Sequence, residues 1–403
     1  MLLVLFVLSC ETVAVNRMLF RLFVVLVPLS ILALWVAVRE DPRTLTLQEG
    51  LKCVEVDNGP RIKQIEEALK RSGQPDQATI LECTWLARHG RFAEALKQLP
   101  TRLLDGPLRR EALRLLGECQ FRLGDHVTAE VSLKQATTEF PNDVESYRNL
   151  ALLYYGVGMN ELAMQAQSHI RRLTPLDYRP YLMAGLVWKD AEEYRKASVE
   201  FQQALDCHPP SQVLESIRFD LTYCLVQSEN YQEAVTVLMR DRASNAGSAL
   251  LAECHWHLGD KAQAKEVVKD VLSLEPLNIG ALRVKAWFLE ELGRKDETVE
   301  LLQRVIKSTR EDFESRDRLI RLLEELGQNA EREQVETETS TIRELRKRLT
   351  ELTTIASNDL NAVEPRHELA GLCRELGRVE QAVTWQRSAE FCSKRNARSK
   401  ARP

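Results

Sequence analysis

The sequence of 403 residues has little glycine or proline, with 17 and 14 residues respectively. Alternating runs of β-branched residues are also scarce, which argues against a β-sheet because half-buried strands need that alternation. Leu, Ala, Glu and Arg, which favour helices, are abundant instead. The body of the chain is therefore predicted to be all-α.

The chain also lacks an excess of charge of either sign. Lys and Arg number 55 against 59 Asp and Glu, which gives a net charge of -4 at pH 7. Composition therefore gives no bias toward nucleic acid or acidic lipid, and we expect no nucleic-acid partner. Residues 393–403 carry five basic side chains, and we predict that they form a basic disordered tail.

The sequence motifs of common catalytic, metal and cofactor sites are absent. There is no phosphate-binding Gly loop, no H-E-x-x-H, no G-x-S-x-G and no C-x-x-C-H. Nine Cys form no C-x-x-C pair, which fits buried single thiols better than a zinc module or a disulfide framework. Cys207 and His208 are adjacent, but Pro209 follows them and should end a helix there. We predict no catalytic residue, no metal and no cofactor, and hence no enzyme.

One long hydrophobic run lies near the start of the chain. Residues 22–38 contain only apolar or small side chains and nearly span a hydrocarbon core of about 30 Å. We predict a transmembrane anchor at residues 18–39, after an N-terminal tail at residues 1–17. The alternatives are a cleaved signal peptide and a true start at Met18.

The basic residues before this run indicate its orientation. Arg17 and Arg21 precede it, whereas Arg39 and Arg43 after it are offset by two acidic residues, so the N-terminus should face the cytoplasm. We therefore expect a single-pass membrane protein with most of the chain on the extracytoplasmic, periplasmic side. A cytoplasm-facing placement is the alternative.

A period of 34 residues organises the rest of the chain. Each block contains an apolar helical run, a Gly or polar turn, a second amphipathic run and then Pro, which predicts a helical hairpin. Small residues such as Gly185 let the two helices approach closely, and large ones such as Phe201 fill the remaining space. The interval separates Ala95, Ala129, Ala163 and Ala197, then Pro107, Pro141, Pro175 and Pro209, and also Gly90, Gly124 and Gly158.

This arrangement of Gly, aromatic, Ala and Pro residues resembles the tetratricopeptide repeat family. The resemblance implies a right-handed superhelical solenoid of stacked helix-turn-helix hairpins, here preceded by one transmembrane helix. The predicted segments are a degenerate hairpin at 44–75 that turns at Asp57, Asn58 and Gly59, a repeat array at 76–330, an extra or elongated helix at 331–362, and a terminal hairpin at 363–392.

The extra helix carries a short heptad seam within residues 342–356. Apolar residues recur there three and four positions apart, which is typical of a coiled coil. The seam either packs on its own neighbours or supports weak self-association. Its members are Ile342, Leu345, Leu349, Leu352 and Ala356.

The family resemblance implies that the first helix of each hairpin lines a concave surface. Aromatic anchors near Arg side chains suit a peptide with apolar and some acidic residues, although these side chains could instead pack between hairpins. The candidate peptide groove contains Arg148, Leu152, Tyr155, Arg179, Leu182, Leu186, Lys189, Phe219, Tyr223, Val226, Trp256, Arg283 and Trp287.

From these features we predict a non-catalytic protein-protein interaction scaffold or adaptor. It would be tethered to a bacterial-type membrane and bind protein or peptide partners in its concave groove. The alternative function is a regulatory or accessory subunit of a membrane enzyme or of a cell-envelope assembly system.

Overall fold

The computed structural model describes residues 46–239 and 245–400. Within these ranges all regular secondary structure is helical, with twenty α-helices, one 3₁₀ turn and no strand. The chain divides into two compact units, Met1–Leu123 and Gly124–Pro403. The all-α prediction is therefore confirmed for the described residues.

The first unit contains five α-helices around one apolar core. Ile65, Leu69 and Leu81 are fully buried at its centre. At Gly50 the helices come so close that a Cβ atom would lie 2.7 Å from Leu81 Cδ2. The helices are α1 Leu47–Glu55, α2 Gly59–Arg71, α3 Pro75–Arg88, α4 Phe92–Gln98 and α5 Arg109–Arg122, with the 3₁₀ turn at Thr101–Leu104.

The second unit contains fifteen helices. Its first eight are α6 His126–Glu139, α7 Val144–Gly156, α8 Asn160–Leu173, α9 Arg179–Asp190, α10 Tyr194–Asp206, α11 Ser211–Gln227, α12 Tyr231–Leu238 and α13 Asn245–His257. The remaining seven are α14 Lys261–Leu274, α15 Ile279–Glu291, α16 Lys295–Ser308, α17 Phe313–Glu325, α18 Asn329–Asn358, α19 Glu364–Leu376 and α20 Val379–Lys400.

The turns between paired helices use a left-handed residue. Gly158, which connects α7 to α8, has φ 67, a value that glycine adopts without steric cost. Glu192 lies 34 residues later, in the equivalent turn between α9 and α10, and keeps this conformation with φ 58. Glu229, between α11 and α12, does the same with φ 63. Two turns of the second unit therefore hold a glutamate in a conformation that favours glycine.

The two helices of a hairpin cross where a small residue faces a large one. A Cβ atom added to Gly185 of α9 would lie 2.6 Å from Phe201 Cε1 of α10, and Phe201 is fully buried. The predicted role of Gly185 in close helix packing is thus visible in the structure.

The last hairpin of the second unit returns to its first helices. Ser388 of α20 lies beside the Gly158 turn, and Arg366 of α19 reaches the Met159 sulfur at 3.9 Å. Arg395 Nε lies 3.5 Å from the Glu130 carboxylate of α6. These contacts enclose the concave side of the unit.

The 30-residue α18 occupies the region where an elongated helix is predicted. Ile342, Leu352 and Ala356 are buried within the chain. Leu352 and Ala356 form one cluster with Leu369 of α19, so this part of the heptad seam packs on the chain's own neighbour.

Helix α20 continues through Lys400, so residues 393–400 are helical and not a disordered tail. Two polar contacts hold this end against the unit. They are the Arg395–Glu130 ion pair and an Asn396 Nδ2 bond of 3.0 Å to the Asn361 carbonyl.

No helix of the described ranges combines the length and hydropathy needed to cross a membrane. The predicted anchor at residues 18–39 lies outside these ranges.

Candidate binding cavity of the second unit

The second unit contains an open cavity of about 1310 Å³. One wall is formed by the first helices of successive hairpins, α9, α11, α13 and α15. The lining also includes residues 307–314, Arg346 of α18 and residues 376–381 at the α19–α20 turn. The cavity therefore lies between the repeat array and the hairpin that returns to its start.

Aromatic side chains give this wall its apolar character. Phe219 and Tyr223 project from α11, and the Tyr223 ring meets Tyr194 edge to face at 5.9 Å. Tyr231 stacks on His257 at 4.4 Å, and burial raises the pKa of Tyr231 to about 12. The Phe219 ring and the three tyrosine rings are half-buried and the His257 ring is exposed, so each can present part of its surface to the cavity.

Two basic residues of this wall are neutralised by the same chain. Lys189 Nζ lies 2.6 Å from Asp220 Oδ1 on the next hairpin. Arg283 contacts Glu253 and lies 3.4 Å from Asp312 Oδ2. Burial raises the pKa of Glu253 although Arg283 opposes that shift. Each of these cations thus links neighbouring repeats.

Four charged residues of the lining contact one another. Arg378 Nη2 donates to Glu192 Oε1 at 2.7 Å and to Glu311 Oε2 at 2.5 Å. Arg346 also contacts Glu192, and its Nε lies 3.6 Å from Glu311 Oε2. The hydrogen bond to Glu311 raises the pKa of Arg378. We call Glu192, Glu311, Arg346 and Arg378 the closing cluster.

The remaining charge of the cavity is negative. Nine acidic side chains line it against six Lys and Arg, an excess of three negative charges. Among the described residues, no cation forms an ion pair with Asp190, Glu229 or Glu380. Asp190 lines the cavity. Burial of its carboxylate raises the pKa of Asp190. The Tyr155 hydroxyl donates a hydrogen bond to that carboxylate at 3.1 Å.

Five of the thirteen predicted groove residues line this cavity. They are Lys189, Phe219, Tyr223, Val226 and Arg283.

Trp287 is instead fully buried, so no partner reaches it in this structure. It packs against Trp256 at 5.6 Å and lies beneath the Arg318 guanidinium at 5.3 Å. Trp256 also meets Phe288 edge to face. Both tryptophans therefore contribute to packing between α13 and α15.

The other predicted residues lie outside the cavity. Arg148 and Arg179 both bind Asp177, at 2.7 and 2.8 Å. Leu182 and Leu186 pack against the apolar cluster around Phe201. Leu152 is half-buried on α7, and Tyr155 is the donor to Asp190 described above.

Sequence reasoning missed the closing cluster. Glu192, Glu311 and Arg378 come from three separate turns, and Arg346 comes from α18. One signal was present, because Glu192 interrupts the Gly90, Gly124 and Gly158 series at its 34-residue interval.

The cysteines form no second site. The eight Cys of the described residues are free thiols, and burial raises the pKa of Cys119 and Cys254 to about 12. Cys207 follows the last residue of α10, and His208 is left-handed there with φ 55. No group of three or more potential metal ligands occurs in the described part of the chain.

Known proteins resemble the chain through its repeats. Tetratricopeptide repeat family models match residues 86–144 and residues 249–276. No curated protein sequence matches the chain.

Solved structures resemble it at low identity. A tetratricopeptide repeat protein from Parabacteroides merdae is 16% identical, with 60% of this chain and 96% of that chain covered and a TM-score of 0.38. PilF of Pseudomonas aeruginosa is 15% identical, with 52% and 95% covered and a TM-score of 0.38. A thermophilic tetratricopeptide repeat protein from Thermus thermophilus is 22% identical, with 49% and 98% covered and a TM-score of 0.32. From the two family-model matches, the chain contains tetratricopeptide repeats.

Proposed function

We propose that the chain is a non-catalytic scaffold or adaptor that binds a segment of a partner protein in the cavity of its second unit. The cavity itself carries this proposal. At about 1310 Å³ it exceeds the range of about 300–1,000 Å³ that is usual for small-molecule sites. Half-buried aromatic rings on its wall offer the kind of anchor that dominates protein interfaces.

The charges of the cavity favour a different partner from the acidic peptide expected from sequence. Lys189 and Arg283 are already bound by carboxylates of the chain, and the lining has an excess of negative charge. A segment with apolar side chains and a neutral or basic character therefore fits better than an acidic one.

Alanine substitution of the aromatic wall tests the binding site. We expect F219A and Y223A to reduce capture of specific partners by the full-length chain at least about tenfold, because interface aromatics contribute on the order of 2 kcal/mol each. The matched control is V199A, since Val199 lies exposed on α10 and does not line the cavity. If F219A and Y223A capture partners as well as V199A and the unsubstituted chain do, with helical circular dichroism unchanged, this site is ruled out.

We further propose that residues 18–39 tether the chain to a membrane, with the repeats on the extracytoplasmic side. The support is the uncharged run at residues 22–38 and the basic residues before it. A tether would raise the local concentration of the repeats near membrane partners. If the repeats lie on the extracytoplasmic side, protease added to spheroplasts should digest them. Protection in spheroplasts, lost only after lysis, would place the repeats in the cytoplasm.

A further inference from the structure

We propose that the closing cluster is an ionic latch, which holds one side of the binding cavity in place and widens the cavity when the ion pairs break. This inference rests on the proposed function of the cavity and concerns how that cavity is regulated. Glu192, Glu311, Arg346 and Arg378 all line the cavity, so separating them removes one of its walls.

The backbone at Glu192 is the first observation. Its turn belongs to the 34-residue series in which Gly90, Gly124 and Gly158 take the same left-handed conformation. A residue with a Cβ atom is disfavoured there, and Glu229 has the same conformation without an ion pair among the described residues, so the two turns differ in what their carboxylates contact. The Glu192 carboxylate is held by Arg346 and Arg378, which follow it by 154 and 186 residues.

The second observation is that charged groups form the closing cluster, whereas apolar groups form the contacts between neighbouring hairpins. Hairpins within the array pack through buried apolar clusters, such as the one around Phe201 and Leu221. The closing cluster consists of partly exposed charges, with 31% of the Glu192 and 36% of the Arg346 side chain exposed against 20% for Glu311 and 17% for Arg378. Ion pairs of this kind weaken as salt screens them, whereas apolar packing does not. The closing contact can therefore break while each hairpin stays folded.

The last hairpin also contacts the start of the unit at Met159, at Glu130 and at the Gly158 turn, where Thr384 and Ser388 lie close. Arg366 Nη2 contacts Met159 only at 3.9 Å, whereas it donates to the Ala356 carbonyl at 2.7 Å inside the last helices. The neighbouring Arg395–Glu130 pair is 3.5 Å long and also ionic. In the proposed opening movement α19 and α20 turn about these contacts while the closing cluster separates.

The test compares two substitutions of the same kind in the full-length chain. E192G introduces the residue that occupies the Gly124 and Gly158 turns, so the turn should fold, but it removes the carboxylate of the latch. E229G is the matched control, because Glu229 has φ 63 and no ion pair among the described residues. Labels on a non-canonical amino acid at Val199 and Val383, both exposed, report the distance between α10 and α20 by pulsed electron paramagnetic resonance.

We expect E192G to raise the population at longer distance roughly tenfold over the unsubstituted chain, a change that corresponds to about 1.4 kcal/mol. High salt should raise it in the unsubstituted chain as well. E229G should leave the distribution unchanged. R378Q, which removes one charge from the other side of the latch, should act like E192G.

Unchanged distances in both E192G and R378Q would overturn the latch, as would an equal change in E192G and E229G. The measurement uses the protein without a partner, so its failure leaves the proposed binding function untouched. Failure of F219A and Y223A to alter capture would conversely leave the latch intact.

Discussion

The close approach of Gly185 to Phe201 allows one packing prediction to be worked through. In G185A the new Cβ atom would lie 2.6 Å from Cε1 and 2.7 Å from Cδ1 of Phe201. Real contacts of this type lie near 3.5–4.0 Å, and Phe201 is fully buried with no free space to move into. Either the ring leaves its rotamer or α9 and α10 move apart.

The expected cost follows from two opposing effects. Overpacking a well-packed core costs about 1–3 kcal/mol. Replacing Gly by Ala inside a helix returns about 0.5–1 kcal/mol. We therefore expect G185A to lower the free energy of unfolding of the second unit by up to about 2.5 kcal/mol.

The matched control is G371A in α19, because a Cβ atom there meets nothing within 4 Å. This substitution should stabilise the chain by about 0.5–1 kcal/mol from helix propensity alone. The assay is urea unfolding followed by far-ultraviolet circular dichroism, read as the shift of the transition midpoint, because a chain with two units need not unfold in one step. F201L added to G185A should recover part of the loss, since the two residues are in contact. A G185A midpoint equal to that of G371A would refute the close-packing argument.

Three further predictions concern buried groups. Iodoacetamide at pH 8 should leave Cys119 and Cys254 unmodified until the chain is unfolded, as mass spectrometry would show, because burial raises the pKa of both thiols to about 12. Since the unfolded thiols ionise near pH 8.5, their contribution to stability should be lost as the pH rises from about 9 towards 12, visible as a falling thermal midpoint. R366M should lower the free energy of unfolding by about 2–4 kcal/mol in urea titrations, because Arg366 is 1% exposed and donates to the carbonyls of Ala356 and Asp359, which the Met side chain leaves unpaired.

The helical hairpins could be predicted from sequence because their determinants are local. The 34-residue spacing of Gly, Ala and Pro marks turns and close crossings, and the structure places left-handed glycines at 124 and 158 accordingly. Asp57, in the predicted first turn, is left-handed as well, with φ 54. Such features depend on residues a few positions apart, which a single sequence displays.

The cavity could not be predicted from the sequence, because residues far apart in the chain meet to form part of its lining. Nothing local indicates that Arg346 and Arg378 return to Glu192. The burial of Trp287 has a similar cause, because Arg318, one hairpin further on, covers its ring. The pairing of Lys189 with Asp220 and of Arg283 with Glu253 could have been anticipated, since both pairs are about one repeat apart, at separations of 31 and 30 residues.

The central claim is that a partner segment enters the cavity of the second unit, and site-specific photocrosslinking in the cells of origin tests it most directly. A photoreactive amino acid at Gln227, which is exposed and lines the cavity, should yield a discrete crosslinked partner. The same amino acid at Val199, exposed outside the cavity, should not yield that partner. A Gln227 sample without any crosslinked protein, or with the same products as Val199, would contradict the account.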